Sequence, residues 1–347
     1  MKSSIVFLIA IAFLPLLNGC SKQPMERHHT ILAFGTLIEV TLYNVEQQIA
    51  DQAFDELDNN FKMFHEMWSP WQAGSLMRIN TLLPTGKRFS AGPSVIPLIQ
   101  QSIKLADDTN HLYNPAIGQL INLWQFHKNS EPDIQPPAAE KIASLVTQNP
   151  RMTNLHLDGV QLSSDNPAVQ LNFGAFAKGY AIDLSMDYLK SLGIKNAIIN
   201  TGGDLKAIGS HGQRPWRIAI RHPRNSSVLA SIETDGEESV FTSGDYERFY
   251  FYNNKRYHHI LDPRTGYPAT ESQSVTVIHN QSGLADAAAT ALFIAGPDEW
   301  YGIAKKLGLK QVMLIDKQGK IHVTPAMKQR LIFNAKIEAT LIVSPAL

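Results

Sequence analysis

The stretch GLADAAATALFIAG, from Gly283 to Gly296, has the composition of an apolar helix interrupted by two polar residues. Asp286 and Thr290 are four residues apart, so on a helix their oxygens project from one face. The three residues between them are all alanine. Two interpretations are open: a helix N-terminus, where Asp favours the dipole and Thr bonds back to the backbone, or a hard-cation site on a face kept bare for a large ligand.

The segments around this stretch predict helices mainly early in the chain and strands mainly late. Residues 45–68 and most of 93–126 have helical periodicity, and residues 173–193 form a helix ended by Gly193. Residues 31–43 read as strand with Gly35 as a bulge or close-approach point. Short β segments fill 196–279, and helices follow around 284–295 and 297–307. This order predicts an α+β fold, one compact two-lobed domain with mixed or antiparallel sheets and flanking helices.

The first residues predict a signal peptide. Lys2 precedes the apolar run Ile5–Leu16, which is too short to span a bilayer stably. The ending LLNGC resembles the lipobox of bacterial lipoproteins, which implies a signal peptide over 1–19, a lipidated tether over 20–30 and a domain over 31–347. Palmitate-type acyl chains on Cys20 would hold the protein in the cell envelope, facing the periplasm, and Ser21 favours the outer membrane. An ordinary signal peptide with a chance cysteine is the alternative.

Composition excludes several classes of function. Cys20 is the single cysteine, so the mature fold has no disulfide and no catalytic thiol. Lys plus Arg and Asp plus Glu are balanced at 31 each, which argues against a nucleic-acid partner. The phosphate-binding patterns GxxxxGK[ST] and GxGxxG do not occur.

Four other stretches contain candidate site residues. In NTGGD, Gly202 and Gly203 allow close approach of a ligand or simply form a tight turn. In TSGDYER, alternation predicts a solvated strand face. In RYHHILDPRTGYP, His258 and His259 point to opposite faces of a strand, so one at most faces a site as a general base. Trp71, in a loop, is a stacking platform or an ordinary surface aromatic.

Taken in order, these stretches resemble the FAD:protein FMN transferase family, the ApbE-like flavin transferases, over nearly the whole mature chain. The matching motifs are AFGT (33–36), SPWQAGSLMRIN (69–80), LYNPAIGQLINLWQF (112–126), LNFGAFAKGYAID (171–183), NTGGD (200–204), TSGDYER (242–248), HHILDPRTG (258–266) and DAAAT (286–290).

The resemblance implies an enzyme that uses Mg²⁺ to transfer FMN from FAD to a threonine hydroxyl of an acceptor protein, with release of AMP. The implied partners are acceptor subunits of membrane electron-transport complexes of the NADH:quinone oxidoreductase type. Two alternatives remain: an FAD pyrophosphatase with water as acceptor, and a lipoprotein that binds flavin without catalysis. The number of metal ions and the oligomeric state stay open.

The resemblance also assigns roles to individual residues. Asp286, Thr290 and the Ala175 carbonyl match the magnesium ligands, and His259 matches the base for the acceptor threonine. Asn114 and Asn172 stand where the family usually has Asp, which removes a charge and keeps a hydrogen-bonding group. The positions that match FAD contacts are Phe34, Trp71, Leu112, Tyr113, Asn114, Asn172, Lys178 and Ile260.

Overall fold

The computed structural model describes residues 25–126, 135–334 and 340–347. The predicted signal peptide (1–19), Cys20 and Ser21 lie outside these described residues. Within them, no helix combines the length and the apolar character needed to cross a membrane.

The described residues form seventeen strands, eight α-helices and two short 3₁₀ turns. The strands are β1 (Glu26–Ala33), β2 (Thr36–Tyr43), β3 (Phe89–Ser90), β4 (Leu155–Asp158), β5 (Gln161–Ser164), β6 (Ala197–Thr201), β7 (Asp204–Ile208), β8 (Arg217–Arg221), β9 (Val228–Glu233), β10 (Glu238–Gly244), β11 (Phe249–Tyr252), β12 (Lys255–His258), β13 (Ser272–His279), β14 (Gln311–Asp316), β15 (Ile321–Val323), β16 (Ile332–Phe333) and β17 (Leu341–Val343). The helices are α1 (Gln47–Trp68), α2 (Ser75–Leu82), α3 (Ile96–Asp108), α4 (Gly118–Trp124), α5 (Ala139–Thr147), α6 (Ala177–Ser191), α7 (Ser282–Lys306) and α8 (Pro325–Arg330), with 3₁₀ turns at Leu83–Thr85 and Met152–Asn154.

A nine-stranded sheet in the order β1-β2-β6-β7-β10-β13-β14-β15-β17 organises the molecule. Its neighbours pair antiparallel except β15 and β17, which are parallel. Three small sheets accompany it: β11-β12, β16-β9-β8 and β3-β5-β4. The predicted α+β class with mixed and antiparallel sheets is confirmed.

The middle strands of the central sheet, such as β13 and β14, are buried on both faces. Successive side chains of a strand point to opposite faces, so each of these strands contributes to both sides of the sheet. In β13, Val275 and Val277 join the large core formed with the helices, whereas Ile278 joins a second core. That second core contains residues of β8, β9 and α8. The sheet therefore separates two apolar layers, and α1, α6 and α7 contact it in the first.

The N-terminal strand prediction needs two corrections. Residues 31–43 are not one strand with a bulge at Gly35, because β1 and β2 form a hairpin through Phe34 and Gly35. Both turn residues have positive φ (52° and 72°), as a type I′ hairpin turn requires. Residues 26–30, predicted as tether, are part of β1 and pair with residues 39–43 of β2. Polar residues occur there because β1 is an edge strand with one solvated face.

Helices α6 and α7 pack with their backbones in contact. A Cβ added to Gly179 of α6 would lie 2.3 Å from the Ser282 carbonyl oxygen of α7. Helix α7 breaks at Gly296 (φ 67°), immediately before Pro297, so its halves correspond to the two helices predicted at 284–295 and 297–307. The first half lies against the start of α6 and carries Asp286 and Thr290.

Candidate active site

Asp286 is a buried carboxylate at the contact between α7 and α6. Its side chain is 8% exposed, and Oδ2 accepts a hydrogen bond from the Gly179 amide (3.3 Å). Gly179 lies in the first turn of α6, where backbone amides have no partner within the helix. Burial raises the pKa of Asp286 to about 7, and the ammonium of Lys178 opposes this rise.

Lys178 also lies in the first turn of α6 and points to two carboxylates. Its Nζ forms an ion pair with Asp204 and lies 3.9 Å from Asp286 Oδ1. Burial alone would lower the pKa of Lys178, but the two carboxylates outweigh it and raise the pKa above its ordinary value. Asp204, the first residue of β7, accepts a further hydrogen bond from the Thr242 amide of β10 (2.9 Å). Lys178 is therefore a charged, oriented ammonium at neutral pH.

Thr290 of α7 faces strand β10. Its Oγ1 lies 3.1 Å from Ser243 Oγ of β10. Ala175 precedes α6 by two residues, and within the described ranges no amide donates to its carbonyl. The predicted metal ligands thus lie just before α6 and in the first half of α7, with β10 beside Thr290.

The donor set fits a hard cation. A carboxylate, a hydroxyl and a carbonyl are the oxygen ligands that Mg²⁺ takes, together with water and substrate phosphates. Among the described residues, no group of three or more His, Cys, Asp or Glu side chains is arranged to hold a metal. A cation bound at Asp286 would therefore need oxygens from a ligand or solvent to complete its shell.

His258 and His259 differ in their hydrogen bonds. The His258 ring uses both nitrogens, since Nε2 donates to the Ala269 carbonyl (2.7 Å) and Nδ1 accepts from the Ile260 amide (3.3 Å). His259 Nδ1 is buried and has no partner among the described residues. Burial, the charge of Arg248 and the neighbouring His258 lower the pKa of His259 to about 3. The imidazole of His259 is therefore neutral, with a nitrogen uncommitted to the fold.

Ile260, which matches a backbone contact to FAD, has a buried side chain and an engaged backbone. Its amide donates to His258, and its carbonyl accepts from the Ala269 amide (3.0 Å). The carbonyl keeps a second lone pair for a ligand, whereas the amide is already used.

Phe34 and Trp71 differ in exposure. Phe34, in the β1–β2 turn, contacts the rings of Phe61, His65 and Trp68. Trp71 lies in the loop before α2, is 44% exposed, and donates its indole N–H to Asn122 Oδ1 of α4 (2.8 Å). Of the two aromatics, Trp71 is the more exposed to solvent.

The segments with Asn114 and Asn172 lie side by side and are joined by a hydrogen bond from the backbone amide of Asn172 to the Pro115 carbonyl (2.8 Å). Asn114 Oδ1 accepts from the Ala116 amide (3.1 Å), and its Nδ2 donates to the Pro150 carbonyl (2.9 Å). Asn172 Oδ1 accepts from the Gly174 amide (2.9 Å). Both polar atoms of the Asn114 side chain, Oδ1 and Nδ2, are thus hydrogen-bonded within the fold.

The remaining predicted contacts are buried. Leu112 and Tyr113 belong to the main core, and the Tyr113 hydroxyl lies 2.8 Å from Ser102 Oγ. A cavity of about 80 Å³ adjoins Asn114, with His111 and Arg151 in its wall. Burial and the charge of the Asp286 carboxylate both raise the pKa of the Tyr113 hydroxyl, so this core tyrosine lies near the Lys178–Asp286 cluster.

Two residues of the cluster were missed as site residues from the sequence. Asp204 lies in NTGGD, where Gly202 and Gly203 form the tight β6–β7 turn. Asp204 follows this turn directly and is the ion-pair partner of Lys178. Ser243 lies in TSGDYER, for which a solvated strand face was predicted. That prediction is wrong, since β10 ends at Gly244 and the Asp245 side chain is buried against Arg224 (2.6 Å). For Asp204, the available signal in the sequence was a carboxylate directly after a glycine turn.

Comparisons with known proteins give a consistent result. The model of the ApbE family matches residues 34–313. An "FAD:protein FMN transferase" of Rhodobacter capsulatus is 39% identical over 87% of this chain, which spans only 58% of that relative's length. A protein of the same name from Vibrio cholerae is 30% identical over 89% of this chain and 93% of its own.

A solved structure agrees with these matches. The crystal structure of the ApbE protein from Thermotoga maritima superposes with a TM-score of 0.79 at 27% identity, and covers 89% of this chain and 99% of that one. Because the family model matches most of the chain, and the Vibrio relative is matched along nearly its whole length, this chain belongs to the ApbE family.

Proposed function

We propose that this protein is an FAD:protein FMN transferase that moves FMN from FAD to a threonine hydroxyl of an acceptor protein, releases AMP and uses Mg²⁺. The observation that carries the proposal is the pairing of the Lys178 ammonium with the buried Asp286 carboxylate at the start of α6. An ammonium can bind a phosphate, and a carboxylate can bind a cation shared with that phosphate. The names of the two relatives support the same activity.

The reaction needs one bond to form and one to break at the flavin-side phosphorus. The acceptor threonine oxygen bonds to this phosphorus, and the bond from phosphorus to the bridging oxygen breaks, so that the bridging oxygen leaves with AMP. The hydroxyl proton must go to a base, because a free hydroxyl is a weak nucleophile. Neutral His259, whose Nδ1 has no partner within residues 25–126, 135–334 and 340–347, is the group we assign to this role.

The other residues hold the substrate. Lys178 would bind a phosphate, and Asp286, Thr290 and the Ala175 carbonyl would hold Mg²⁺, which neutralises charge on the departing phosphate when bound. Phosphate charge near Lys178 and Arg248 would oppose the lowering of the His259 pKa and bring it closer to neutrality, where a general base works best.

We further propose that Cys20 anchors the protein by lipid in the bacterial envelope, facing the periplasm, with acceptor subunits of electron-transport complexes as partners. The LLNGC motif supports the anchor. An acceptor with an extracytoplasmic threonine would meet the site in that compartment.

The test mixes protein starting after Cys20 with FAD, Mg²⁺ and an acceptor domain bearing a flavinylation-type threonine. Intact-mass spectrometry follows the acceptor, and chromatography follows FAD, FMN and AMP. An FMN adduct with AMP release supports the transferase, and free FMN with AMP but no adduct on two different acceptors supports the pyrophosphatase. Unchanged FAD contradicts both and leaves a binding protein.

Two variants locate the chemistry in the site. Asp286→Ala should abolish turnover, whereas Asp298→Ala, on the exposed part of the same helix, should leave it unchanged. Equal activity of the two variants would contradict the assignment of Asp286.

A further inference from the structure

Asp183 of α6 caps a different helix, α7. Its Oδ1 accepts from the Ser282 amide (3.0 Å) and its Oδ2 from the Gly283 amide (3.1 Å), which are the first two amides of α7. The residue preceding α7, Gln281, makes no side-chain capping bond. The orphan amides at this helix start are thus satisfied from α6.

Lys206 of β7 holds Asp183 in place. Its Nζ lies 2.8 Å from Asp183 Oδ1, 2.8 Å from the Asn280 carbonyl and 2.8 Å from Glu237 Oε1. Lys206 is only 3% exposed, so this lysine is committed to the cluster. The chain entering α7 is therefore tied to both α6 and the central sheet.

The Asp183 contact repeats one helical turn away. Gly179 precedes Asp183 by four residues on α6, and its amide donates to Asp286 on α7 (3.3 Å). Together the two contacts fix the position of α7 along the axis of α6. This displacement sets where Asp286 and Thr290 stand relative to the Ala175 carbonyl, which precedes α6.

We propose that Asp183, held by Lys206, is a positioning residue that sets the register of α7 against α6 and so aligns the oxygens of the cation site. The inference rests on the proposed function through its metal site. Groups that orient metal ligands act on metal affinity even though they do not touch the metal.

The test measures binding of Mn²⁺ alone, by electron paramagnetic resonance, to the wild type, Asp183→Asn and Asp187→Asn. An asparagine offers one acceptor oxygen in place of two and turns an N–H group towards an amide or Lys206. We expect Asp183→Asn to weaken Mn²⁺ binding by about 10- to 100-fold. Asp187→Asn makes the same change one turn further along α6, at an exposed residue paired with Lys190, and should bind like the wild type.

A structural role alone would lower Tm and leave the dissociation constant for Mn²⁺ unchanged well below Tm. Wild-type affinity in folded Asp183→Asn therefore overturns the proposal. If that variant does not fold, Lys206→Met is measured instead, because Asp183 then keeps its contacts with the two α7 amides and loses only the contact with Lys206. Wild-type affinity for Mn²⁺ in this variant overturns the proposal, and weakened affinity supports it. If the wild type shows no Mn²⁺ binding that Asp286→Ala removes, the metal site itself is overturned, and with it this inference.

Discussion

His258 and His259 are adjacent in the chain but serve different purposes. The ring of His258 links the Ile260 amide to the Ala269 carbonyl and so fixes the loop that follows β12. His259 has a buried nitrogen without a partner in the part of the chain that the structure describes, which lowers stability unless a ligand uses it. At the scale of the residue, one histidine stabilises the fold, and the other retains a hydrogen-bonding capacity that the fold does not use.

His259 should make the protein sensitive to acid. Its pKa of about 3 in the fold lies below the ordinary 6.5, so between these pH values only the unfolded chain takes up the proton. The free energy of unfolding then falls by about 1.4 kcal/mol per pH unit as the pH drops through this window. In His259→Asn, the loss between pH 7 and pH 5, measured by urea unfolding, should be smaller by about 2 kcal/mol. His156→Asn, at an exposed side chain, is the control for the substitution itself.

Asn114 should not tolerate the aspartate that the family usually has there. Asn114→Asp would turn a carboxylate oxygen towards the Pro150 carbonyl, which now accepts from Nδ2. We expect a loss of about 1–3 kcal/mol in the free energy of unfolding, measured in urea. Asn172→Asp should lose less, because its carboxylate can still accept from the Gly174 amide. Equal losses would show that the Pro150 bond does not decide the residue at 114.

At the scale of elements, the α6–α7 contact determines the site. Lys178 and Gly179 come from the first turn of α6, and Asp286 and Thr290 come from the first half of α7. The small residues of α7 let its backbone approach α6 and the sheet, and they are themselves buried. The alanines around Asp286 are thus packing residues as well as neighbours of the candidate cation.

Two glycine substitutions test this contact. Gly179→Ala places a methyl group 2.3 Å from the Ser282 oxygen, so the helices must separate, at a cost of about 1–3 kcal/mol or more. Gly302→Ala, in the second half of α7, meets no atom within 4 Å and should stabilise by about 0.5–1 kcal/mol. Thermal unfolding should therefore move Tm in opposite directions. A fall in both variants would contradict the close contact.

The elements that were predictable from the sequence are those with a clear period. The long helices and the kink at Gly296 follow from apolar spacing and from Gly–Pro, whereas the β1–β2 hairpin does not, because Phe34 is an unusual residue at positive φ. The start of β1 was missed because a strand that pairs along one edge only can be polar.

The candidate site was predictable where a motif carries the chemistry. Lys178, Asp286, Thr290 and His259 came from family motifs, and the structure brings Lys178 and Asp286 together. The partners of Asp204 and Asp183 were not predictable, since each residue acts on an element distant in sequence. Asp204 reaches Lys178 across 26 residues and Asp183 reaches Ser282 across 99.

At the scale of the molecule, the central sheet, with its middle strands buried on both faces, accounts for stability without disulfides. A core on each side gives the domain its apolar burial. Strand β1 begins at Glu26, six positions after Cys20. If lipid is attached at Cys20, even a fully extended link holds the start of β1 within about 20 Å of the anchor.

Removing the anchor should change location without changing chemistry. Cys20→Ser in the full-length chain should move the protein from the membrane fraction to the soluble fraction of the envelope and abolish palmitate labelling, because lipid attachment requires the thiol. Transfer activity of the purified protein should be unchanged, since Cys20 lies outside residues 34–313, which match the family model. Membrane association that persists without labelling would contradict lipid anchoring.

The break in α7 at Gly296 creates two segments that can diverge separately in evolution. Gly296 leaves the helical conformation, and Pro297 has no amide hydrogen to continue the bond ladder. Insertions and deletions after Pro297 therefore need not shift the residues before it. Among homologous chains, length should vary downstream of this point, while the spacing from Ser282 to Ala295 stays constant.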